Sequence, residues 1–574
     1  MRKLLVSTLI LLFVLNCQTK KIENAAGPAE RIRLNQIGYF THGVKKFVVA
    51  DTEAKAFEIK NASGNIVFQG ILEPKGIWNK SGENVLLGDF TGLSADGTYT
   101  ILLDNGVMSY PFSIGRDIFD DLKLATLKSF YLHRISMPIE EQYAGKYHRP
   151  LGHEDLQLPF HPSTGKTQSK FDTPGGWYDA GDYGKYIVNA GITAGMMLAM
   201  YEKYPNAYPD GSMNIPEGGN GLPDILDELK YEIDWMLTMQ DDDGGVFVKV
   251  TTLNFGGMVM PHEAPRDRYV IGKSAGASLN LAAVCAMTAR IYEPFDPEFA
   301  GNCLDAAIDA WRWSVTHPEA YYGKNPDDVR TGAYSDVILD EEFFWAAAEL
   351  FITTGEPEYF ENIQMKLGDI TFRLEENWRN YGDNIGYYSL VGVSDRLDDR
   401  QKKQVTDGLI HLADELAEKH RNIPYQIPVD HFVWGSNSDI LDAAMIYANA
   451  YEVTKDKKYM NLAIETFDYI MGKNAVGYSF ITGFGSKQPM HIHHRPSEAD
   501  GIEEPYPGFV VGGPNGRLQD KGSLAQAGLS YASELPAKSY IDAIPSFASN
   551  EIALNWNAPC VYLLGFFDAH KGEL

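Results

Sequence analysis

Cysteine is scarce in this chain. Four occur among 574 residues, at Cys17, Cys285, Cys303 and Cys560, and no two form a CxxC pair. That spacing excludes a disulfide framework and a cysteine-based structural zinc site. Cys285, Cys303 and Cys560 are expected to be buried free thiols. Positive charge is also in short supply: 50 Lys and Arg against 77 Asp and Glu leave a formal charge of −27. Nucleic acid and anionic membrane surfaces repel such a chain, which argues against both as partners. The apolar run Leu4–Leu15 falls short of the length that a permanent membrane span needs.

What that run does match is an export signal. Arg2 and Lys3 give it a positive start. The residues that follow, Val14-Leu15-Asn16-Cys17, resemble a bacterial lipoprotein signal, in which the cysteine becomes the lipidated first residue. Asn16 departs from the small residue usual at that place. An ordinary secretory peptide cleaved nearby is the alternative, and both readings export the protein. Residues 1–17 are thus expected to be a signal peptide, with lipidation at Cys17. Residues 18–30, polar and small, are expected to be a flexible tether. The membrane would be touched only through that lipid, and the chain is expected to be a monomer.

The length allows two or more domains. Residues 31–115 read as β. Lys46-Phe47-Val48-Val49-Ala50 is strand-like, and Phe57 and Ile59 alternate before Asn61-Ala62-Ser63-Gly64-Asn65, with Ile66 and Phe68 after it. Tyr99, Ile101 and Leu103 precede Asp104-Asn105-Gly106, a favoured hairpin turn, with Val107 and Tyr110 beyond. Several short strands without helical period suggest a β-sandwich. From about Ile118 the period turns helical, and one script recurs: an alanine-rich helix, a tight turn, then an aromatic opening the next helix. It appears at Ala283–Tyr292 with Phe295–Phe299, at Phe343–Phe351 with Thr354–Phe360, and at Ile440–Tyr447 with Thr454–Tyr459. Repeats of helix hairpins bury their faces against neighbours. For residues 116–574 a closed (α/α)6 toroid is the economical solution, with long loops carrying the chemistry on one face.

Three stretches carry chemistry. The first is Gly175-Gly176-Trp177-Tyr178-Asp179-Ala180-Gly181-Asp182-Tyr183-Gly184-Lys185-Tyr186. Two carboxylates three residues apart, in a loop that glycine lets turn tightly, suit holding and deprotonating a water. Asx turns or caps for the helix that follows account for them equally well. The second is Pro489-Met490-His491-Ile492-His493-His494-Arg495-Pro496. Its histidine spacing lacks the helical i,i+4 pattern and a nearby cysteine, so hydrogen bonding to sugar hydroxyls fits better than a metal. A salt-bridged surface turn fits it as well. The third runs from Tyr540 and Asp542 to Glu551 and Asn557, and it sets Glu551 at the start of an apolar helix. A helix N-terminus lowers a carboxyl pKa, whereas a general acid needs it raised by apolar walls and nearby negative charge.

All three blocks, with the β-domain opening Leu34-Asn35-Gln36-Ile37-Gly38-Tyr39, resemble glycoside hydrolase family 9. The similar subgroup is that of inverting β-glucanases with an N-terminal immunoglobulin-like domain. The resemblance covers nearly everything after the tether. It implies that Glu551 is the general acid, that Asp182 is the general base and that Asp179 helps to hold the water. Acid and base would then stand about 6.5–9.5 Å apart. It further implies that His493 and Arg495 bind sugar and that Tyr540 and Asp542 support the site as substrate-binding residues. Trp177, Tyr178 and Trp434 are candidates for sugar stacking. Relatives often carry a zinc site built from two cysteines and histidines just before the aspartate loop. Here Tyr131-Leu132-His133-Arg134-Ile135-Ser136 and Gly152-His153 contain no cysteine, so zinc is not expected. Calcium is commoner in the family, and Asp336, Glu341 and Glu342 are candidate ligands; capping a helix is the alternative for them. The chemistry itself requires no cofactor.

The function implied is hydrolysis of β-1,4-glucosidic bonds, endo-acting, in cellulose, mixed-linkage glucan or xyloglucan. An exo-acting glucosidase on oligosaccharides and an inactive surface glycan-binding protein are the alternatives. The retention of Asp179, Asp182 and Glu551 counts against the latter. A polysaccharide lyase would want a basic cleft, which the charge balance disfavours.

Overall fold

The computed structural model describes residues 28–574 apart from 168–169, 266, 336, 368–373, 375–380 and 393–395. The expected signal peptide, Cys17 and the tether up to residue 27 lie outside the described residues. The last three residues of that expected tether, with Arg31 of the β domain, form a single 3-10 turn, Pro28–Arg31. Glu30 there pairs with Lys487 at 3.2 Å.

Nine strands then build a sandwich: β1 (Ile32–Arg33), β2 (Gly38–Tyr39), β3 (Lys46–Ala50), β4 (Ala56–Asn61), β5 (Ile66–Ile71), β6 (Glu73–Trp78), β7 (Glu83–Asp89), β8 (Gly97–Leu103) and β9 (Phe112–Ile114). One sheet has the order β1-β3-β7-β6, the other β2-β9-β8-β4-β5. Both hairpins read from the sequence are present: β4 pairs antiparallel with β5, and Gly106, at φ +87°, turns the chain after β8. Alternation decides what each residue of the first sheet faces. Phe47, Val49 and Leu86 enter the core between the sheets with Tyr39, Phe57, Phe90 and Phe112. Val48, Val85, Leu87 and Trp78 point the other way, into the core of the helical domain.

The sandwich is therefore docked against the helices. Trp78 packs on Tyr425 and Phe432, with ring centroids 4.9 and 5.8 Å away. The Tyr425 hydroxyl donates to Glu83 at 2.6 Å, and Lys46 pairs with Glu465 at 2.8 Å. The Leu34–Tyr39 stretch acts as the hook. Asn35 accepts the backbone N–H groups of Ile37 and Gly38 while its own amide donates to Asp468 at 2.8 Å. Gln36 bridges the Gly477 carbonyl and the Lys487 amide.

The helical domain is a double ring. The inner helices are Ile187–Lys203, Ala275–Tyr292, Asp340–Thr354, Tyr381–Gly392, Ser436–Thr454 and Leu554–His570. Each of the first three packs on the next, and Leu554–His570 joins Ile187–Lys203 to Ser436–Thr454. The outer helix Asp399–Asn422 touches both Tyr381–Gly392 and Ser436–Thr454 and so closes the circuit. Ile187–Lys203, Ala275–Tyr292 and Ser436–Thr454 are buried on nearly every side and rich in small residues, as a helix walled all round must be. Outer helices are amphipathic. In Asp399–Asn422 the buried residues are Val405, Leu409, Ala413, Leu416 and His420, one stripe at helical spacing, and Asp398 with Gln401 closes a capping box at its start. The three repeated sequence scripts fall on the hairpins Ala275–Tyr292/Pro297–Thr316, Asp340–Thr354/Pro357–Leu367 and Ser436–Thr454/Lys457–Ile470.

One element departs from the helical expectation. β10 (Lys185–Tyr186), β11 (Val246–Thr252) and β12 (Arg268–Ser274) form a small antiparallel sheet among the loops. Val246-Phe247-Val248 and Val250 are buried on it.

Trp78 bears directly on the docking of the two domains. Trp78→Ala should lower the unfolding free energy by about 3–5 kcal/mol in a urea titration, without loss of the helical far-ultraviolet signal under native conditions.

Candidate active site

The aspartate loop is shaped from beneath. Gly175 and Gly176 both have φ near +80°, and a Cβ on Gly176 would meet the Trp235 ring at 2.8 Å. Trp177 turns inward: its backbone N–H donates to Glu232 at 2.6 Å and its indole N–H to Glu228 at 2.7 Å. Tyr178 lies against His133 and Tyr183, and its hydroxyl meets His153 Nδ1 at 2.9 Å. Both rings are only 1% exposed. They are core residues that hold the loop, which corrects the expectation that they stack on sugars. Local sequence could not tell which side of the loop they occupy.

Charge holds the loop from behind as well. Asp155 is fully buried and pairs with Lys185 at 2.8 Å and with Arg268 at 2.7 Å. Lys185 also donates to the Thr173 and Gly175 carbonyls, and Arg268 to the Tyr183 carbonyl. Burial alone would raise the Asp155 pKa; Arg268 and Lys185 outweigh it and hold the carboxyl at about 2.

Three distant segments meet at the loop. Ala180 bridges to Ala553, His493 to Glu551 and Val511 to Ile552. The Arg495 backbone N–H and its guanidinium donate to the Gly181 carbonyl at 3.2 and 2.6 Å, and the His493 N–H donates to Asn550 at 2.9 Å. A Cβ on Gly181 would lie 1.9 Å from the His493 carbonyl oxygen and 3.1 Å from Glu551 Oε1. The glycine is what lets the acid segment come this close. Asp179, Asp182, Glu551, His493, Arg495 and Trp434 line one cleft of about 710 Å³.

Within the cleft the carboxyls differ in their surroundings. Asp179 receives Asn189 Nδ2 at 2.6 Å and the Tyr334 hydroxyl at 2.5 Å. Burial and the charge of Asp182 still push it up to about 8. Asp182 accepts from the Gly184 amide at 3.0 Å and from the Tyr186 hydroxyl at 3.4 Å. Burial, then Asp182, raises Glu551 well above the usual carboxylate range against the pull of Arg495. Glu551 is not in a helix. It is extended (φ −78°, ψ 164°) between the turn Phe547–Asn550 and the helix beginning at Leu554, so it escapes the full lowering effect of a helix N-terminus.

The histidine block divides by position. His491 is exposed and His493 lines the cleft, with Nδ1 bonded to the Ile544 carbonyl at 2.6 Å; burial lowers its pKa. His494 is buried, and its Nε2 meets His133 Nε2 at 3.0 Å, while His133 Nδ1 bonds the Tyr178 carbonyl. Burial lowers both pKa values, that of His133 to about 3, so the pair is neutral and one ring donates to the other. Arg495 spends its guanidinium on the Gly181 and Gly256 carbonyls, so it fastens two loops as well as lining the cleft.

Tyr540 and Asp542 do not line the cleft, which corrects their expected role as substrate-binding residues. They border a separate cavity of about 210 Å³. The Tyr540 hydroxyl donates to Asn550 at 2.6 Å, and Asp542 accepts from Asn550 and from the Met490 and His491 amides. They support the site one residue behind Glu551. Trp434 does reach the cleft, 41% exposed and 5.3 Å from the Phe547 ring. Phe255, 50% exposed beside Arg495, also lines it, as does Tyr334; neither had a role in the sequence reading. Asn189 lies in the first turn of Ile187–Lys203, where it reads as a buried polar residue, and Tyr334 comes from a loop with no local signal. Glu341 and Glu342 are buried in the first turn of Asp340–Thr354, and Asp336 lies outside the described residues. Among the described residues no three His, Cys, Asp or Glu side chains gather to hold a metal ion, which leaves the calcium expectation without support.

A carboxyl of raised pKa that lines one cleft with an aspartate pair, on an α/α double ring, fits a glycoside hydrolase. Residues 119–564 match glycosyl hydrolase family 9, and residues 27–107 match the cellulase N-terminal Ig-like domain. The chain belongs to glycosyl hydrolase family 9. It is 39% identical over 567 residues to a xyloglucan-specific endo-β-1,4-glucanase of Bacteroides ovatus, covering 94% of each chain. It is 33% identical over 547 residues to endoglucanase D of Acetivibrio thermocellus, covering 94% of this chain and 83% of that one. A solved Bacteroides ovatus GH9 structure superposes with a TM-score of 0.87 at 37% identity, covering 95% of this chain and all of the other.

Two outcomes follow from this packing. Gly181→Ala should cut hydrolysis at least about 100-fold, because the added methyl drives the loop away from His493 and Glu551; steady-state rates measure this. Asp155→Asn should cost about 3–5 kcal/mol in a denaturant titration, since it strands two buried cations. The folded pKa of Asp155 lies below its ordinary 3.8, so its contribution is full above that pH and is lost as pH falls toward 2.

Proposed function

We propose that this protein is an inverting endo-β-1,4-glucanase acting on soluble or swollen β-glucans. The observation that carries the reading is the backbone weave through Gly181 and His493, which sets a raised Glu551 against the Asp179–Asp182 pair in one cleft. Glu551, protonated, gives its proton to the glycosidic oxygen as the bond breaks. Asp182 takes a proton from the water that attacks the anomeric carbon from the opposite face. Asp179 holds that water, and its two donors, Asn189 and Tyr334, fix the carboxyl in place. Trp434 and Phe255 offer apolar faces to glucose rings along the cleft. Xyloglucan is the first polymer to assay, because a relative 39% identical carries that specificity.

Export and a lipid anchor at Cys17 belong to the same proposal. They are supported by Arg2, Lys3 and the short apolar run before the cysteine. Among the described residues no helix is long and apolar enough to cross a membrane.

Glu551→Gln should lower kcat on polymeric glucan at least about 100-fold with an unchanged circular dichroism spectrum. Aryl glycosides with good leaving groups, which need no proton, should lose far less. Since the acid works only while protonated and its pKa is raised, the high-pH limb of wild-type activity should lie above the ordinary carboxyl value, and kcat against pH measures it. Proton NMR of the first product should detect the α-anomer; the β-anomer would refute inversion.

A further inference from the structure

Lys249 lies in β11 directly opposite Tyr186 of β10. Side chains alternate across a sheet, so these two share one face, while Lys185 and Val250 share the other. Lys185, Asp155 and Arg268 neutralise one another on that other face. On its own face Lys249 is fully buried, and among the described residues no carboxylate forms an ion pair with it. Its ammonium instead donates to three neutral oxygens: Gly332 O at 2.6 Å, Asn325 Oδ1 at 2.7 Å and Thr331 Oγ1 at 3.4 Å. The Tyr186 and Tyr322 rings flank it, with centroids 5.5 and 5.6 Å away.

A buried cation with no salt bridge costs stability unless something else requires it. What it holds is a strap. Asn325 Nδ2 donates back to the Thr331 carbonyl, and Thr331 shares a hydrogen bond with Thr251. Beyond Lys249 the strap reaches both aspartates. The Gly332 N–H donates to the Tyr186 hydroxyl at 3.1 Å, and that hydroxyl donates to Asp182 Oδ2 at 3.4 Å. Two residues on, Tyr334 sits at φ +44°, a strained conformation for a tyrosine, and its hydroxyl meets Asp179. Burial pushes the Lys249 pKa down to about 7, and the one charge that opposes this is that of Asp182.

We propose that Lys249 is a positioning residue for the general base: its ammonium anchors the 325–334 strap, which through Gly332 and the Tyr186 hydroxyl orients the Asp182 carboxylate, and it places a positive charge behind that carboxylate. This rests on the reading of Asp182 as the base. Loss of the charge should make the ionised base harder to form and leave sugar contacts in place. Retention of the charge in a different shape should preserve the ionisation.

The experiment compares full-length wild type, Lys249→Met and Lys249→Arg on soluble xyloglucan, with kcat and KM followed across the acid and neutral range. For Lys249→Met, kcat should fall about tenfold with KM within about twofold, and the acid limb should move up by about one pH unit. Lys249→Arg should keep the acid limb of the wild type even where its kcat is lower. An unmoved limb in Lys249→Met, or a limb that moves equally in both variants, overturns the proposal. If Lys249→Met does not fold, Tyr186→Phe breaks the same chain at the hydroxyl; an upward shift of its acid limb supports the proposal and an unmoved limb overturns it. A wild type that hydrolyses no β-glucan overturns the glucanase reading, and this inference with it. An active wild type with unmoved variants overturns this inference alone.

Discussion

The site depends on a backbone weave that joins residues hundreds of positions apart. Gly181, His493 and Glu551 come from three segments, and carbonyl and amide groups tie each to the next. Main-chain bonds fix distance better than side-chain contacts do, because the backbone has fewer ways to relax. The missing side chain of Gly181 makes that approach feasible, and the weave holds the Glu551 carboxyl from near the C-terminus against a loop from the first third of the chain. Closing the helical ring brings those segments together. The inner helix Leu554–His570 packs beside Ile187–Lys203, which follows directly on the aspartate loop.

Around this weave the protein tolerates much buried charge. Asp155, Lys185, Arg268 and Lys249 lie with little or no exposure behind the aspartates. Three of them compensate one another, and the fourth is satisfied by neutral oxygens. Burial cuts the screening that water would supply, so each group acts on the carboxyls more strongly than a surface residue would. The raised Glu551 and the raised Asp179 have the same origin as this arrangement: negative charge confined with apolar walls. The neutral His133–His494 pair shows the opposite response to burial, a base that gives up its proton.

How far the sequence was legible varied with how local the determining interactions are. Lys46–Ala50 and the turn at Asp104-Asn105-Gly106 were readable because their signal lies within a few residues. The helix hairpins were readable because their script repeats. Trp177 and Tyr178 were misassigned because an aromatic beside a cleft-lining aspartate can face either the cleft or the core, and the choice rests on Glu228, Glu232 and His153 elsewhere in the chain. Tyr540 and Asp542 were read as substrate-binding residues, whereas their contacts to Asn550, behind the cleft, appear only in three dimensions. The strand Val246–Thr252 carries β-branched residues after Gly244-Gly245, a signal that the helical period around it obscured. Asn189, Tyr334 and Lys249 had no sequence signature, since each matters only for what the fold places beside it.

The docking of the β-sandwich has a consequence for how such a protein is inherited. On the sheet that carries them, Val48, Val85, Leu87 and Trp78 are continuous with the interior of the ring. Asn35 answers a buried aspartate, Asp468, and Glu83 answers Tyr425. A catalytic ring cut free at residue 116 would expose an apolar scar and take from Asp468 and Tyr425 the hydrogen-bond partners that the sandwich supplies. Domains joined in this way cannot be shuffled like beads on a string, so gain or loss of the N-terminal module would demand resurfacing of the ring at the same time.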